Sequence, residues 1–380
     1  MAPDIFSSQP ALRIRHSRFA AAYRVLEQAI AERVFPGCAF GVLAGDEIVL
    51  QDGLGRFTYE DEAPAVLPQT VYDVASLTKV VATTAAVMLL VQRNQLNLDE
   101  PLEALLPAFA AGRALDDPAL RITLRHLLAH SSGLPGYVEF FRTCFTPEAL
   151  LKACMELKVQ AAPGTRAEYS DPGFILLGKA LEAMIGEPLD VWVRREVIGP
   201  LGLTATGFCP PESTRPAIPP TEVEETLRHR RIQGEVQDEN AFVLGGVSGH
   251  AGLFSNVPDL LRFAGEILDA GVGSEADGER ARLFEPGTVE SFAQRQGPAA
   301  SSRALGWDTP SGKPSTAGSH FSPHSIGHLG FSGCSLWIDL EARAAIALLT
   351  NRTWPKRPTG PSQLFREVRA GFHDAVREAL

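Results

Sequence analysis

Cysteine is scarce in this 380-residue chain: Cys38, Cys144, Cys154, Cys209 and Cys334 are odd in number, scattered and nowhere spaced C-x-x-C. That excludes a disulfide framework and a cysteine zinc site, and it suits a reducing compartment. Positive charge is also short, with 35 Lys and Arg against 45 Asp and Glu, a net charge of −10. The one dense basic patch, Arg228-His-Arg-Arg231, reads as a solvated loop, so neither nucleic acid nor an anionic membrane is an expected partner. Long apolar runs are missing. Residues 80–91 are too few to span a bilayer and read as a buried helix. Residues 1–8 have no apolar core of the signal-peptide kind. A cytoplasmic protein is expected, and an exported one only if the start codon is misassigned.

What remains is ample for a globular fold: 45% of residues are hydrophobic and 21% charged, enough to bury a large core. Residues 17–34 carry apolar side chains at helical spacing, and Pro36-Gly37 stops them. Residues 38–43 and 47–54 read as a hairpin around Ala44-Gly45-Asp46. The middle is mainly helical, with segments 122–129, 147–157, 174–185, 189–197 and 258–268 each bounded by Gly, Pro or capping residues. Strands return at 335–340 and 344–349, and a final amphipathic helix covers about 361–380. Residues 210–220, 271–280 and 308–325 read as long loops. The fold class is therefore α+β, an α/β sandwich in which an antiparallel sheet built from both chain ends is flanked by helices. One domain spans 1–380, with a sheet subdomain from about 17–75 and 301–380 and a mainly helical subdomain from about 76–300.

Three constellations carry chemistry. Ser76-Leu77-Thr78-Lys79 opens the apolar helix, and positions i and i+3 share a face, so the Ser76 hydroxyl and the Lys79 amine can meet. Serine needs such a neighbour to become a nucleophile at neutral pH. Alone, the tetrapeptide reads better as an N-capping serine followed by a solvated lysine. Tyr169-Ser170-Asp171 lies between Pro163-Gly164 and Pro172-Gly173. A phenol there acts as a base only if a cation such as Lys79 stabilises its anion, at roughly 4 kcal/mol for three pH units; otherwise Tyr169 is a buried aromatic. Gly327-His328-Leu329-Gly330-Phe331-Ser332-Gly333 allows close backbone approach to a ligand, or forms a bulged edge strand.

In this order the motifs resemble the serine β-lactamase and penicillin-binding-protein superfamily, most closely class C β-lactamases and the related family VIII carboxylesterases. Ser76–Lys79 stands for S-x-x-K, Tyr169–Asp171 for Y-x-N, and His328–Gly330 for K-T-G. Supporting pieces agree in order, among them Leu124-Arg-His-Leu-Leu-Ala-His-Ser-Ser-Gly-Leu-Pro135 and Gly249-His-Ala-Gly-Leu-Phe254. The resemblance implies that Ser76 is acylated, that Lys79 and Tyr169 form its base, and that the main-chain N–H groups of Ser76 and Phe331 form the oxyanion hole. It implies that Asp171, His328, Leu329 and Gly330 contact substrate. No cofactor and no metal are expected, and the partner is a small ester, lactam or peptide. No G-x-S-x-G elbow occurs.

Two departures from the pattern bear on substrate. Asp171 replaces Asn and, when ionised, cannot donate a hydrogen bond; its charge should also keep Lys79 protonated. His328-Leu329 replaces Lys-Thr, removing a charge-assisted contact to a substrate carboxylate worth about 1.5–3 kcal/mol. Esterase-type hydrolysis of small, neutral acyl substrates is therefore expected. A β-lactamase or D-amino-acid peptidase is the runner-up, and a pseudoenzyme binding a cell-wall fragment stands behind it. His126 and His130, and likewise His320, His324 and His328, repeat at four, but a metal role is not expected for either set. His250 either lines the pocket or caps a turn, and the 308–325 loop either covers the site or is a disordered insertion.

Overall fold

The computed structural model describes residues 13–271, 282–299, 301–312, 315–358 and 363–380. Helix α1 (Ala20–Ala31) leads into the hairpin β1 (Gly37–Ala44) and β2 (Glu47–Gly55), while β3 (Ser325–Leu329), β4 (Ser335–Asp339) and β5 (Ala344–Thr350) come from the other end. They form one five-stranded sheet in the order β2-β1-β5-β4-β3. The two ends meet at the centre, where β1 and β5 pair antiparallel with Phe40 opposite Leu348. The sheet is antiparallel throughout, as expected of a chain whose termini close on each other.

Both faces of β1 are covered, which is why its sequence is a continuous apolar run rather than an alternating one. Cys38, Phe40 and Val42 join the cluster built with Phe19, Leu26 and Phe372. Those partners sit on the entry to α1, on α1 itself and on the C-terminal helix α5 (Gln363–Ala379). Ala39 and Leu43 point the other way, into the main core. There the helix α4 (Val257–Gly271) packs so closely that a Cβ on Gly41 would lie 2.5 Å from Val257.

The buried helix expected at 80–91 exists and begins earlier. A 3₁₀ turn at Ala75–Leu77 runs into a π-helical stretch, Lys79–Thr84, and then α2 (Ala85–Gln92). The expected start at 174 moves back to give α3 (Asp171–Ile185), because Ser170 accepts a hydrogen bond from Gly173 N–H and caps it, and Pro172 suits the first turn. The expected helix 189–197 is α-helical over Leu189–Val193 and becomes π-helical over Arg194–Ile198. The expected loop 210–220 holds a 3₁₀ turn, Glu212–Ala217. Most of the expected loop 271–280 lies outside the described residues. Of the two readings for 327–333, the edge strand applies up to Leu329, and Gly330–Gly333 form the turn that follows it.

Candidate active site

Three segments from distant parts of the chain converge at one end of β3. The first is the 3₁₀ turn of Ser76. A two-residue strand, Tyr72–Asp73, pairs with Leu253–Ser255, and the chain then turns sharply with Ala75 at φ +48°. A non-glycine residue in the left-handed region is strained and needs its surroundings to hold it. Asp73 supplies the hold. One carboxylate oxygen accepts from Ala75 N–H at 2.8 Å and the other from Gln237 N–H at 2.6 Å. Burial pushes the Asp73 carboxyl up to about 6, against those two hydrogen bonds.

The third motif docks directly on that turn. Gly330 approaches Val74 so closely that a Cβ would lie 2.5 Å from the Val74 carbonyl oxygen. Ser332 Oγ donates to Asp73 O at 2.8 Å. Glycine at 330 therefore permits the contact that sets Phe331 beside Ser76, and both line the same cavity of about 720 Å³. Tyr169, Asp171, His328, Leu329 and Gly330 line it as well.

Lys79 lies beneath the cavity, fully buried. Its ammonium donates to Ser76 Oγ at 3.0 Å, to Asp171 Oδ1 at 2.7 Å and to the main-chain carbonyl of His250 at 2.9 Å. Three acceptors satisfy three N–H bonds, so the nitrogen is held as a cation pointed at Ser76. Burial disfavours that cation, but Asp171 and then Tyr169 outweigh it, and the Lys79 pKa stands above its ordinary value. The Lys79 nitrogen also stands 5.0 Å from the centre of the Tyr169 ring; burial raises the Tyr169 pKa, and the lysine charge only partly offsets this.

Tyr169 is positioned by the segment around His130. The His130 ring packs 4.5 Å from the Tyr169 ring, centroid to centroid. Its Nδ1 accepts from Ser170 N–H at 3.0 Å, which places the ring proton on Nε2. Ser170 Oγ donates to Pro135 O, and Asp171 N–H donates to Gly136 O. His130 is thus structural, and it is also an immediate neighbour of the site. His328 lies on the other side of Tyr169, at 5.9 Å, and donates from Nδ1 to Leu329 O. Burial, reinforced by nearby arginine and lysine charge, holds both histidines neutral, well below the ordinary imidazole value.

Several members of the site carry no sequence signal. His250 acts through its carbonyl, while its ring bridges Ser248 Oγ and Asp238 Oδ1 at 2.8 and 2.9 Å. His250 thus neither lines the cavity itself nor caps a main-chain turn; its ring ties Ser248 to Asp238, and Asp238 lines the cavity. Burial would raise the Asp238 carboxyl, but His250 and its hydrogen bonds bring it down to about 2. Arg303 stands 5.1 Å over the Tyr169 ring and pairs with Asp308 at 3.8 Å, so the expected loop contributes at least Asp308 to the cavity wall. Among the described residues no cluster of His, Cys, Asp or Glu is arranged to hold a metal ion.

Comparison with known proteins fits this geometry. The family described as Beta-lactamase matches residues 23–364. The N-acetylmuramyl-L-alanine amidase of Bacillus subtilis (strain 168) is 31% identical over 372 residues, covering 87% of this chain and 80% of that protein. A protein of Escherichia coli (strain K12), provisionally named D-alanyl-D-alanine carboxypeptidase, is 32% identical over 322 residues, covering 77% and 71%. Among solved structures, EstCE1, described as a hydrolase with promiscuous acyltransferase activity, aligns with a TM-score of 0.74 at 22% identity, covering 95% of this chain and 98% of that one. At that identity the likeness shows the fold.

Proposed function

This chain belongs to the beta-lactamase family, whose members are serine hydrolases, and on that premise we propose that it hydrolyses esters of small acyl groups through an acyl-enzyme on Ser76. The observation that carries the reading is the Lys79 ammonium, donating to Ser76 Oγ at 3.0 Å while locked to Asp171. A solvated lysine at the end of an N-cap would have neither partner.

In the active protonation state the Tyr169–Lys79 pair has lost one proton, which belongs to the pair rather than to either residue. Tyr169 Oη takes the Ser76 proton, Lys79 stays cationic, and Oγ attacks the carbonyl carbon. The oxyanion that forms is met by the N–H groups of Ser76 and Phe331; removing one such donor typically costs 10²–10³ in rate, roughly 3–4 kcal/mol. Tyr169 then returns the proton to the departing alcohol, and water repeats the sequence to release the acid. Asp171, His328, Leu329 and Gly330 border the bound substrate.

Hydrolysis of a β-lactam or a D-amino-acid peptide is the second reading, favoured by the names of the amidase and carboxypeptidase relatives. Purified protein offered p-nitrophenyl butyrate, a chromogenic cephalosporin and D-Ala-D-Ala peptides separates the two. Ester turnover with a fluorophosphonate adduct on the wild type, and none on Ser76→Ala, is the expected result. Fast cephalosporin or peptide turnover with much slower ester hydrolysis overturns the esterase reading.

A further inference from the structure

Beyond Phe331 the cavity wall carries charge that the reaction at Ser76 does not use. Arg352 follows β5, and Arg366 and Arg369 lie on α5; all three line the same cavity as Ser76. Other arginines of this wall are neutralised. Arg357 pairs with Glu222 and Glu239, and Arg303 with Asp308. The guanidinium groups of Arg352, Arg366 and Arg369, by contrast, meet no carboxylate and no hydrogen-bond acceptor among the described residues. Arg369 is only 4% exposed and its Nε has no partner, and the Nε of Arg352 is buried and unpartnered too.

What touches Arg352 and Arg369 is aromatic. Arg352 sits over Phe331 at 5.5 Å and Phe365 at 4.8 Å, and Arg369 over Phe365 at 4.6 Å. Ring faces attract guanidinium groups but leave their N–H edges free and their charge uncancelled. Burial, then Arg352 and Arg366, lower the Arg369 pKa to about 9, so it is still a cation at neutral pH. An unpaired buried cation such as Arg369, with two further guanidinium charges near it, is costly, and a chain so rich in acidic residues had every means to pair it.

We propose that Arg352, Arg366 and Arg369 form an anion subsite that takes a group of two or more negative charges, a phosphate-type group or paired carboxylates, on the acyl arm of the substrate cleaved at Ser76. The proposal rests on the acyl-enzyme reading above. The acyl arm is assigned because Arg352 sits over Phe331 and Phe365, and Arg369 over Phe365, whereas the leaving group must lie near Tyr169 to receive its proton. One negative charge would leave the cluster cationic; a guanidinium fork donates two N–H bonds at a time to an oxyanion. The expectation of a neutral substrate rested on the missing lysine at position 328, and these arginines come from other segments.

The test uses the full chain with three p-nitrophenyl esters: butyrate, the tricarballylate monoester with two free carboxylates, and 4-phosphonobutyrate. We expect kcat/KM for at least one dianionic ester to exceed that for butyrate by about tenfold or more, which corresponds to about 1.4 kcal/mol. The ratio should collapse towards one in Arg366→Gln, whose side chain is exposed on α5, and in Arg369→Gln. Preference for the phosphonate alone identifies a phosphate-type group, and preference for the tricarballylate alone identifies paired carboxylates. Butyrate turnover with Ser76 labelling but no preference for either dianion overturns the subsite and leaves the hydrolase reading standing. If neither turnover nor labelling occurs, the hydrolase reading falls, and the subsite is judged by binding. Citrate and tripolyphosphate should raise the unfolding temperature of Ser76→Ala, and raise it less once Arg366→Gln is added; no shift with either anion overturns the subsite.

Discussion

Lys79 and Tyr169 both hold their protons more tightly than the free side chains do. The base form of the pair is therefore reached on the alkaline side of neutrality, and kcat/KM for p-nitrophenyl butyrate should climb with pH above 7. Asp171 is the lever. Its carboxylate stabilises the Lys79 ammonium, so Asp171→Asn should lower the Lys79 pKa and move the rising limb to lower pH. A limb that stays put or moves to higher pH would contradict the assignment. His130 and His328 are neutral throughout this range, since burial depresses both; His328→Gln should leave the profile without a lost inflection near pH 6.5. Asp171 at the Y-x-N position and His328 in place of lysine were legible in the sequence. The carbonyl of His250 on Lys79 was not, because any residue offers a carbonyl and only the path of the chain aims it.

At the level of elements, the site depends on two close approaches that glycine permits. Gly178 on α3 faces Gly249, and a Cβ there would lie 2.9 Å from the Gly249 N and Cα. Gly249 O accepts from Thr83 Oγ1, and the next carbonyl, His250 O, accepts from Lys79. Gly178→Ala should thus act twice. Overpacking should lower stability by about 1–3 kcal/mol, read as a lower unfolding temperature, and the displaced carbonyl should lower kcat. Gly330→Ala places a Cβ 2.5 Å from Val74 O and should pull the Phe331 N–H away from the Ser76 turn. A drop in kcat on the order of 10² is expected with the fold retained by circular dichroism; unchanged kcat would remove Phe331 from the oxyanion hole. The sequence showed the glycines of the third motif, and the hairpin and terminal helix almost to the residue. It did not show that α3 starts at Asp171, because the cap depends on Ser170, which reads equally as part of a turn.

The whole molecule is held shut by its ends. Helix α5 buries Phe365, Phe372 and Val376 against the layer that also holds α1. At about 1.5–3 kcal/mol each these side chains alone are worth about 5–9 kcal/mol, comparable with the roughly 5–15 kcal/mol that keeps a typical domain folded. Deleting residues 363–380 should therefore give a protein without a cooperative thermal transition; a sharp transition at the wild-type temperature would show that the sheet does not need α5. The same helix brings Arg366 and Arg369 to the cavity. Hydrolysis of a dianionic ester should consequently weaken as salt rises, while that of butyrate changes little. The amino-acid sequence by itself determined the sheet built from both ends, the apolar helix behind Ser76 and the ordered trio of motifs, because periodicity, caps and i,i+3 spacing are local properties. Only the tertiary structure decided which charges are cancelled. Arg352 and Arg357 lie five positions apart, look alike in the sequence and both sit over Phe331, yet only Arg357 also pairs with two glutamates. Charge pairing is set by distance through space, and that distance exists only once the ends of the chain have met.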